Sequence, residues 1–203
     1  MSIVLGGLAG VALWFATAPI ASRFVVRSRR DIVIWTTISS VLSAIVTAKW
    51  GISSISAAAV ILVVGFMVLA EIDIACRRLP REISYPLATF VLVLVGVQAL
   101  GEGDVQRLVD ALFGTLLATT SMFVLYVLSR GGLGDGDVRM APALGTAAAF
   151  GGISTLWATM LVSFVSAGLF VATCLVLGRM TRSSVIPFGP FLIGGAIVAI
   201  LVT

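Results

Sequence analysis

Histidine is absent from this 203-residue chain. Its absence excludes Ser–His and Cys–His nucleophilic catalysis, HExxH zinc sites and imidazole proton relays. Cysteine is scarce: Cys76 and Cys174 stand far apart and no CxxC pair exists, so neither a zinc knuckle nor a dithiol redox motif is supported. Charge is scarce as well. Only 11% of the residues are charged, against about a quarter in a soluble domain. What the chain has instead is apolar sequence, 60% of its residues, with a mean hydropathy of +1.18. That balance predicts an all-α, polytopic transmembrane helix bundle in a single unit, residues 1–203, embedded in a lipid bilayer. The net charge of +4 is not a nucleic-acid footprint, because the basic residues sit in short connections, where they orient membrane proteins.

A membrane-crossing helix needs about 20 apolar residues. Windows free of Asp, Glu, Lys and Arg run Met1–Ser22, Ile32–Ala48, Gly51–Ala70, Ile83–Gly101, Ala111–Ser129, Met140–Gly178 and Ser183–Thr203. The sixth is long enough for two crossings, and Gly151-Gly152 is the natural break. The expectation is about eight helices, or six or seven if one or two windows are re-entrant. Met1–Ser22 lacks a basic region before it and is followed by Arg23, Arg27, Arg29 and Arg30, which predicts a retained first helix rather than a signal peptide. With eight helices, the odd-numbered connections share one side and hold Arg23, Arg27, Arg29, Arg30, Arg77, Arg78, Arg81, Arg130, Arg139, Arg179 and Arg182. Only Lys49 and Arg107 fall on the other. The bias predicts a multi-pass protein of the inner (cytoplasmic) membrane, with those connections cytoplasmic and both termini outside.

Asp31, Glu82, Glu102, Asp104 and Asp110 lie in or beside loops, where solvation explains them. Glu71, Asp73, Asp135 and Asp137 lie where a helix meets the basic side, and acids near membrane depth mark function. Asp73 stands alone as either an interfacial carboxylate facing nearby arginines or a reactive group. Asp137, in Gly134-Asp135-Gly136-Asp137, stands alone as either a helix cap or a reactive group, and the glycines permit close backbone approach. Asp135-Gly136-Asp137 lacks the further ligands of a calcium loop, so no metal and no cofactor is expected. Two carboxylates brought close in a partly dry site cannot both ionise readily. Such a pair divides the labour of peptide hydrolysis, one member taking a proton from water and the other donating one.

These residues resemble a known family. Asp73-x5-Leu79-Pro80 is similar to the first aspartate motif of the type IV prepilin peptidases, GxGD-type membrane aspartyl proteases. Gly134-Asp135-Gly136-Asp137-Val138-Arg139 is similar to the second, Ala141-Pro142-Ala143-Leu144-Gly145 to the Ala-Ala-Leu-Gly stretch after it, and Ile186-Pro187-Phe188-Gly189-Pro190-Phe191 to the Pro-Phe-Gly-Pro-Phe opening of the last helix. The likeness covers most of the chain from about the third helix onward. It departs at Arg81, where Asn is frequent, at Ser84 for Thr, and at Arg139 for Lys. The Cys-rich cytosolic domain that long members insert after the first helix, associated with N-methylation, has no counterpart after this first helix, so the likeness is to the short form.

The resemblance implies an endopeptidase that removes the short basic leader of a pilin-like precursor at the cytoplasmic membrane face. Asp73 and Asp137 would be the catalytic pair, supported by Gly134, Gly136, Pro80, Pro187, Gly189 and Pro190. Glu71, Glu82 and Asp135 are candidates for charge contacts with the leader. The Pro187–Pro190 turn reads equally as a plain helix start. Gly6-x3-Gly10 fits close helix packing, within the chain or between two chains. Two rivals are a presenilin- or signal-peptide-peptidase-like protease and a proton- or ion-coupled transporter. The former group carries Tyr-Asp where this chain has Ile72-Asp73, and the latter predicts acids at mid-bilayer.

Overall fold

The computed structural model describes residues 2–130, 133–179 and 186–202. Among them are nine helices: α1 (Ser2–Ala21), α2 (Arg29–Trp50), α3 (Ser54–Cys76), α4 (Arg81–Glu102), α5 (Val105–Leu128), α6 (Asp135–Gly145), α7 (Ala148–Gly151), α8 (Ile153–Val176) and α9 (Gly189–Val202). No strand occurs among the described residues. The fold is the all-α polytopic bundle that composition predicts.

Helix ends follow local chemistry. Ser28 and Asp31 form a capping box at the start of α2, and Ser53 and Ser56 form one at the start of α3. Asp104 accepts from the Arg107 backbone N–H at the start of α5. Gly103, at φ 73°, stops α4 in a conformation that a side chain would strain.

Six helices are long and apolar enough to cross a membrane: α1, α2, α3, α4, α5 and α8. The expected break at Gly151-Gly152 is present, with Gly152 at φ 71° between α7 and α8. The expectation of about eight helices holds, because α6 with α7, and α9, each run from the aspartate end of the bundle to the end where Phe150 meets Trp50 and Leu201 meets Lys49. The stretch ahead of that break is divided into α6, of 11 residues, and the single turn α7. Helix α9 has 14 residues, about 21 Å of rise, and runs from Gly189 beside Asp73 to Leu201, whose carbonyl meets Lys49 at the other end. Pro142 sits inside α6 and cannot donate to the turn before it, and the helix ends three residues later.

The centre of the bundle is α3, 17 of whose 23 residues are buried. Glycines let neighbouring backbones approach. Gly6 and Gly10 of α1 lie against Ser43 and Thr47 of α2, so that small-residue pair serves packing within the chain. Gly145 of α6 lies on the backbone of Gly114 and Thr115 in α5.

The Arg-bearing connections converge at one end of the bundle. The Cys76 thiol at the end of α3 donates to the Phe24 carbonyl of the α1–α2 connection at 3.0 Å. Leu79 in the α3–α4 connection meets Gly136 of α6 and Gly189 of α9. At the other end, Lys49 Nζ donates to the Leu201 carbonyl at 2.9 Å, and Trp50 meets Phe150 edge-on at 5.7 Å. Arg182, and the terminal residues Met1 and Thr203 of the outer apolar windows, lie outside the described residues.

Candidate active site

Asp73 occupies the last turn of α3. Its carbonyl accepts from the Arg77 N–H at 2.8 Å, and Arg77 closes the helix in the left-handed region at φ 54°. Asp137 occupies the first turn of α6. The residue that caps that helix is Gly134, not Asp137, whose backbone N–H donates to the Gly134 carbonyl at 3.1 Å. A helix end and a helix beginning thus bring two carboxylates, 64 positions apart in sequence, into one site. Both are buried, Asp73 at 5% exposure and Asp137 at 6%.

The walls are backbone and apolar surface. Leu79, buried just ahead of Pro80, packs against Gly136, where a Cβ would come within 3.1 Å of the Leu79 Cβ. Pro80 caps α4, and its carbonyl accepts from the Ser84 hydroxyl at 3.2 Å. Gly134 lies beside Asp137: a Cβ there would sit 3.2 Å from Oδ2. The Gly189 backbone lies directly against the Asp73 carboxylate. It is the first residue of α9, and the Phe188 carbonyl receives the N–H of Phe191 at 3.0 Å, so the Pro187–Pro190 turn starts a helix and walls the site at once.

Electrostatics sets the two acids apart. Burial, and then the Asp73 charge, push the Asp137 carboxyl up from 3.8 to about 7, with the Gly134 backbone N–H pulling partly the other way. Asp73 Oδ2 is buried with no hydrogen-bond partner at normal geometry among the described residues. The Gly189 backbone N–H faces this carboxylate and offsets part of the cost of burying it. No three His, Cys, Asp or Glu side chains among the described residues cluster as a metal site would require.

The candidates for leader contacts separate. Glu71 is buried and bound to Arg27, whose Nη2 is 2.5 Å from Oε2. Its carboxylate is thus paired within the chain. Asp135 is exposed and pairs with Arg139 one turn on, while Glu82 is exposed with Arg81 at 3.5 Å. Glu82 also edges a hollow of about 320 Å³ between α1, α3 and α4, otherwise lined chiefly by apolar side chains such as Leu13, Val64 and Phe90. Sequence reasoning missed two residues. Leu79 was visible as half of the Leu-Pro motif, but its role as a wall was not. Arg27 carried no signal beyond its place in a basic connection.

The family model described as the Type IV leader peptidase family matches residues 60–177, more than half of the chain and spanning both aspartates. The chain is 31% identical over 165 residues to a prepilin leader peptidase/N-methyltransferase of Stutzerimonas stutzeri, covering 79% of this chain and 54% of the relative. It is 30% identical over 168 residues to the protein of that name from Pseudomonas aeruginosa, covering 80% and 55%. To one from Bacillus subtilis it is 25% identical over 157 residues, covering 75% and 58%. The chain therefore spans about half the length of the curated relatives it matches. No solved structure matches it significantly. With the family match running across the helices that carry both aspartates, this multi-pass membrane protein belongs to the type IV leader peptidase family.

Proposed function

We propose that the chain is an aspartyl endopeptidase that removes the leader of pilin-like precursors at the cytoplasmic membrane face. The observation that carries this reading is the buried meeting of Asp73 and Asp137, close enough that the charge of the first raises the proton affinity of the second. Near neutral pH such a pair shares one proton, carried in this mechanism by Asp137, whose carboxyl is pushed up to about 7. The ionised Asp73 takes a proton from water as the water oxygen bonds to the scissile carbonyl carbon. Asp137 gives its proton to the carbonyl oxygen. As the tetrahedral intermediate collapses, Asp73 passes its proton to the nitrogen, a hydroxyl of the intermediate returns one to Asp137, and the C–N bond breaks, so the leader leaves as a carboxylic acid that ionises in water while the mature chain keeps a new amine.

Position supports a cut at the membrane boundary rather than within a substrate's membrane helix. Both aspartates lie in terminal helix turns, at the end of the bundle where the Arg-bearing connections gather. The same placement speaks against the transporter reading, which calls for acids deep in the span. With Glu71 held by Arg27, the exposed Glu82 and Asp135 are the acids left to meet a basic leader. The inner-membrane orientation follows from the same arginines.

The deciding experiment incubates the purified protein with pilin-like precursors from the same genome and reads the products by mass spectrometry. The expected product is a mature chain with its new N-terminus just ahead of the apolar helix. Intact precursors throughout, or cuts only within the apolar helix, would overturn the proposal.

A further inference from the structure

Arg27 and Glu71 are both charged and both buried, with side chains 8% and 3% exposed. Arg27 Nε lies 2.9 and 3.0 Å from the two Glu71 oxygens, and Nη2 lies 2.5 Å from Oε2. The guanidinium also lies 4.5 Å over the Trp14 ring of α1, which is itself buried and stacked on Trp35 of α2 at 6.5 Å. Arg27 is thus held by α1 and hydrogen-bonded to α3, and Trp35 of α2 backs the ring beneath it. Burying two charges is unfavourable and stabilises little by itself, so this pair calls for another explanation. Its position supplies one, because Glu71 is two residues from Asp73.

We infer that the Arg27–Glu71 pair is the positioning device for Asp73, pinning the last turn of α3 to the α1–α2 connection. The inference rests on the reading of Asp73 as catalytic. Residues two apart on a helix point about 200° apart. With Glu71 turned to the α1–α2 connection, Asp73 faces the opposite side, where Leu79 and Gly189 wall the site. The turn that carries both residues ends at Arg77, and a terminal helix turn frays unless something outside it holds it. A second tie, from the Cys76 thiol to the Phe24 carbonyl, joins the end of the same helix to the same connection. Together the ties at residues 71 and 76 bracket Asp73 and set the rotation of the turn. Misplacing a reacting group by about 1 Å costs on the order of 10²-fold in rate.

The test uses Arg27→Met, Arg27→Lys, Glu71→Gln and the apolar double variant Arg27→Met/Glu71→Leu, in full-length protein carrying Cys174→Ala. Two readouts are taken: kcat and KM for precursor cleavage, and the rate at which Cys76 is alkylated. Arg27→Met and Glu71→Gln are expected to lower kcat by about 10- to 100-fold with KM within about twofold, and to speed Cys76 alkylation several-fold. Arg27→Lys, which keeps the charge but not the planar fork, falls between. The double variant recovers thermal stability, as apolar replacement of a buried pair does, but not kcat. Wild-type kcat in Glu71→Gln, or kcat and stability recovering together in the double variant, would overturn the inference. Should the unaltered protein cleave no precursor, the proposed function fails instead, and Cys76 reactivity still decides whether the pair pins the turn.

Discussion

Gly189 makes room for the Asp73 carboxylate by having no side chain: a Cβ there would lie 2.5 Å from Asp73 Oδ2 and 3.1 Å from Leu79 Cδ1. Helix α9 can begin at that point only because its first residue is glycine. Gly189→Ala should therefore push Asp73 or α9 aside. We expect a loss of at least about tenfold in kcat, since small displacements of reacting groups are costly, with little change in thermal stability. The measurement is cleavage kinetics beside a melting curve in detergent.

Asp73→Asn and Asp137→Asn each remove a proton-transfer partner while keeping shape and volume. Each should lower cleavage by about 10²- to 10⁴-fold, the range of general acid–base catalysis, while the protein still inserts in the membrane. Their joint effect should be far less than the product of the two, because the residues act as a unit. Normal processing by either purified variant would remove that residue from the mechanism.

The raised proton affinity of Asp137 fixes a pH dependence. Between 3.8 and about 7 the folded protein holds a proton that the unfolded chain releases. The stability linked to this group is present in full below the lower value and is lost as pH rises through about 7. Activity should fall over the same upper range, because the proton donor ionises. A descending limb of kcat/KM near pH 7, together with a melting temperature that drops from pH 5 to pH 8 and drops less in Asp137→Asn, would bear this out. A rate that climbs steadily to pH 9 would contradict it.

Gly145 packs on the backbone of α5, where a Cβ would sit 2.4 Å from both the Gly114 carbonyl oxygen and the Thr115 Cα. Backbone cannot move aside as a flexible side chain can. Gly145→Ala should destabilise the bundle by about 1–3 kcal/mol, the usual cost of overpacking. Because α6 carries Asp137, activity should fall with it. Thermal melts read the first effect and cleavage the second.

Cys76 is exposed at the end of the bundle that carries the arginines, while Cys174 lies in α8. In inverted and right-side-out vesicles of a Cys174→Ala variant, a membrane-impermeant thiol reagent should label Cys76 only from the cytoplasmic side. Labelling from outside would reverse the orientation and move the proposed cleavage to the other face.

Much of this architecture is legible along the chain. The apolar runs announce the helices, and Gly103 and Gly152 sit at boundaries where φ is positive. The GxGD and Leu-Pro strings name the residues that line the site. These features are local: hydropathy, capping and backbone freedom depend on a residue and its near neighbours. Less legible is how long an apolar run remains helical. Met140–Gly178 reads as two crossings, yet the first of them is broken into α6 and α7, because Pro142 and a close backbone crossing at Gly145 interrupt it.

The sequence by itself determined that this is a bundle of apolar helices with its arginines on alternate connections and two aspartates at helix ends. Tertiary structure alone decided which charges meet. Glu71 and Asp73, two residues apart, have opposite fates because helical rotation turns one toward Arg27 and the other toward Gly189. Periodicity states the angle between two side chains, but only the packing of α1, α2, α6 and α9 around α3 determines what waits at each end of it.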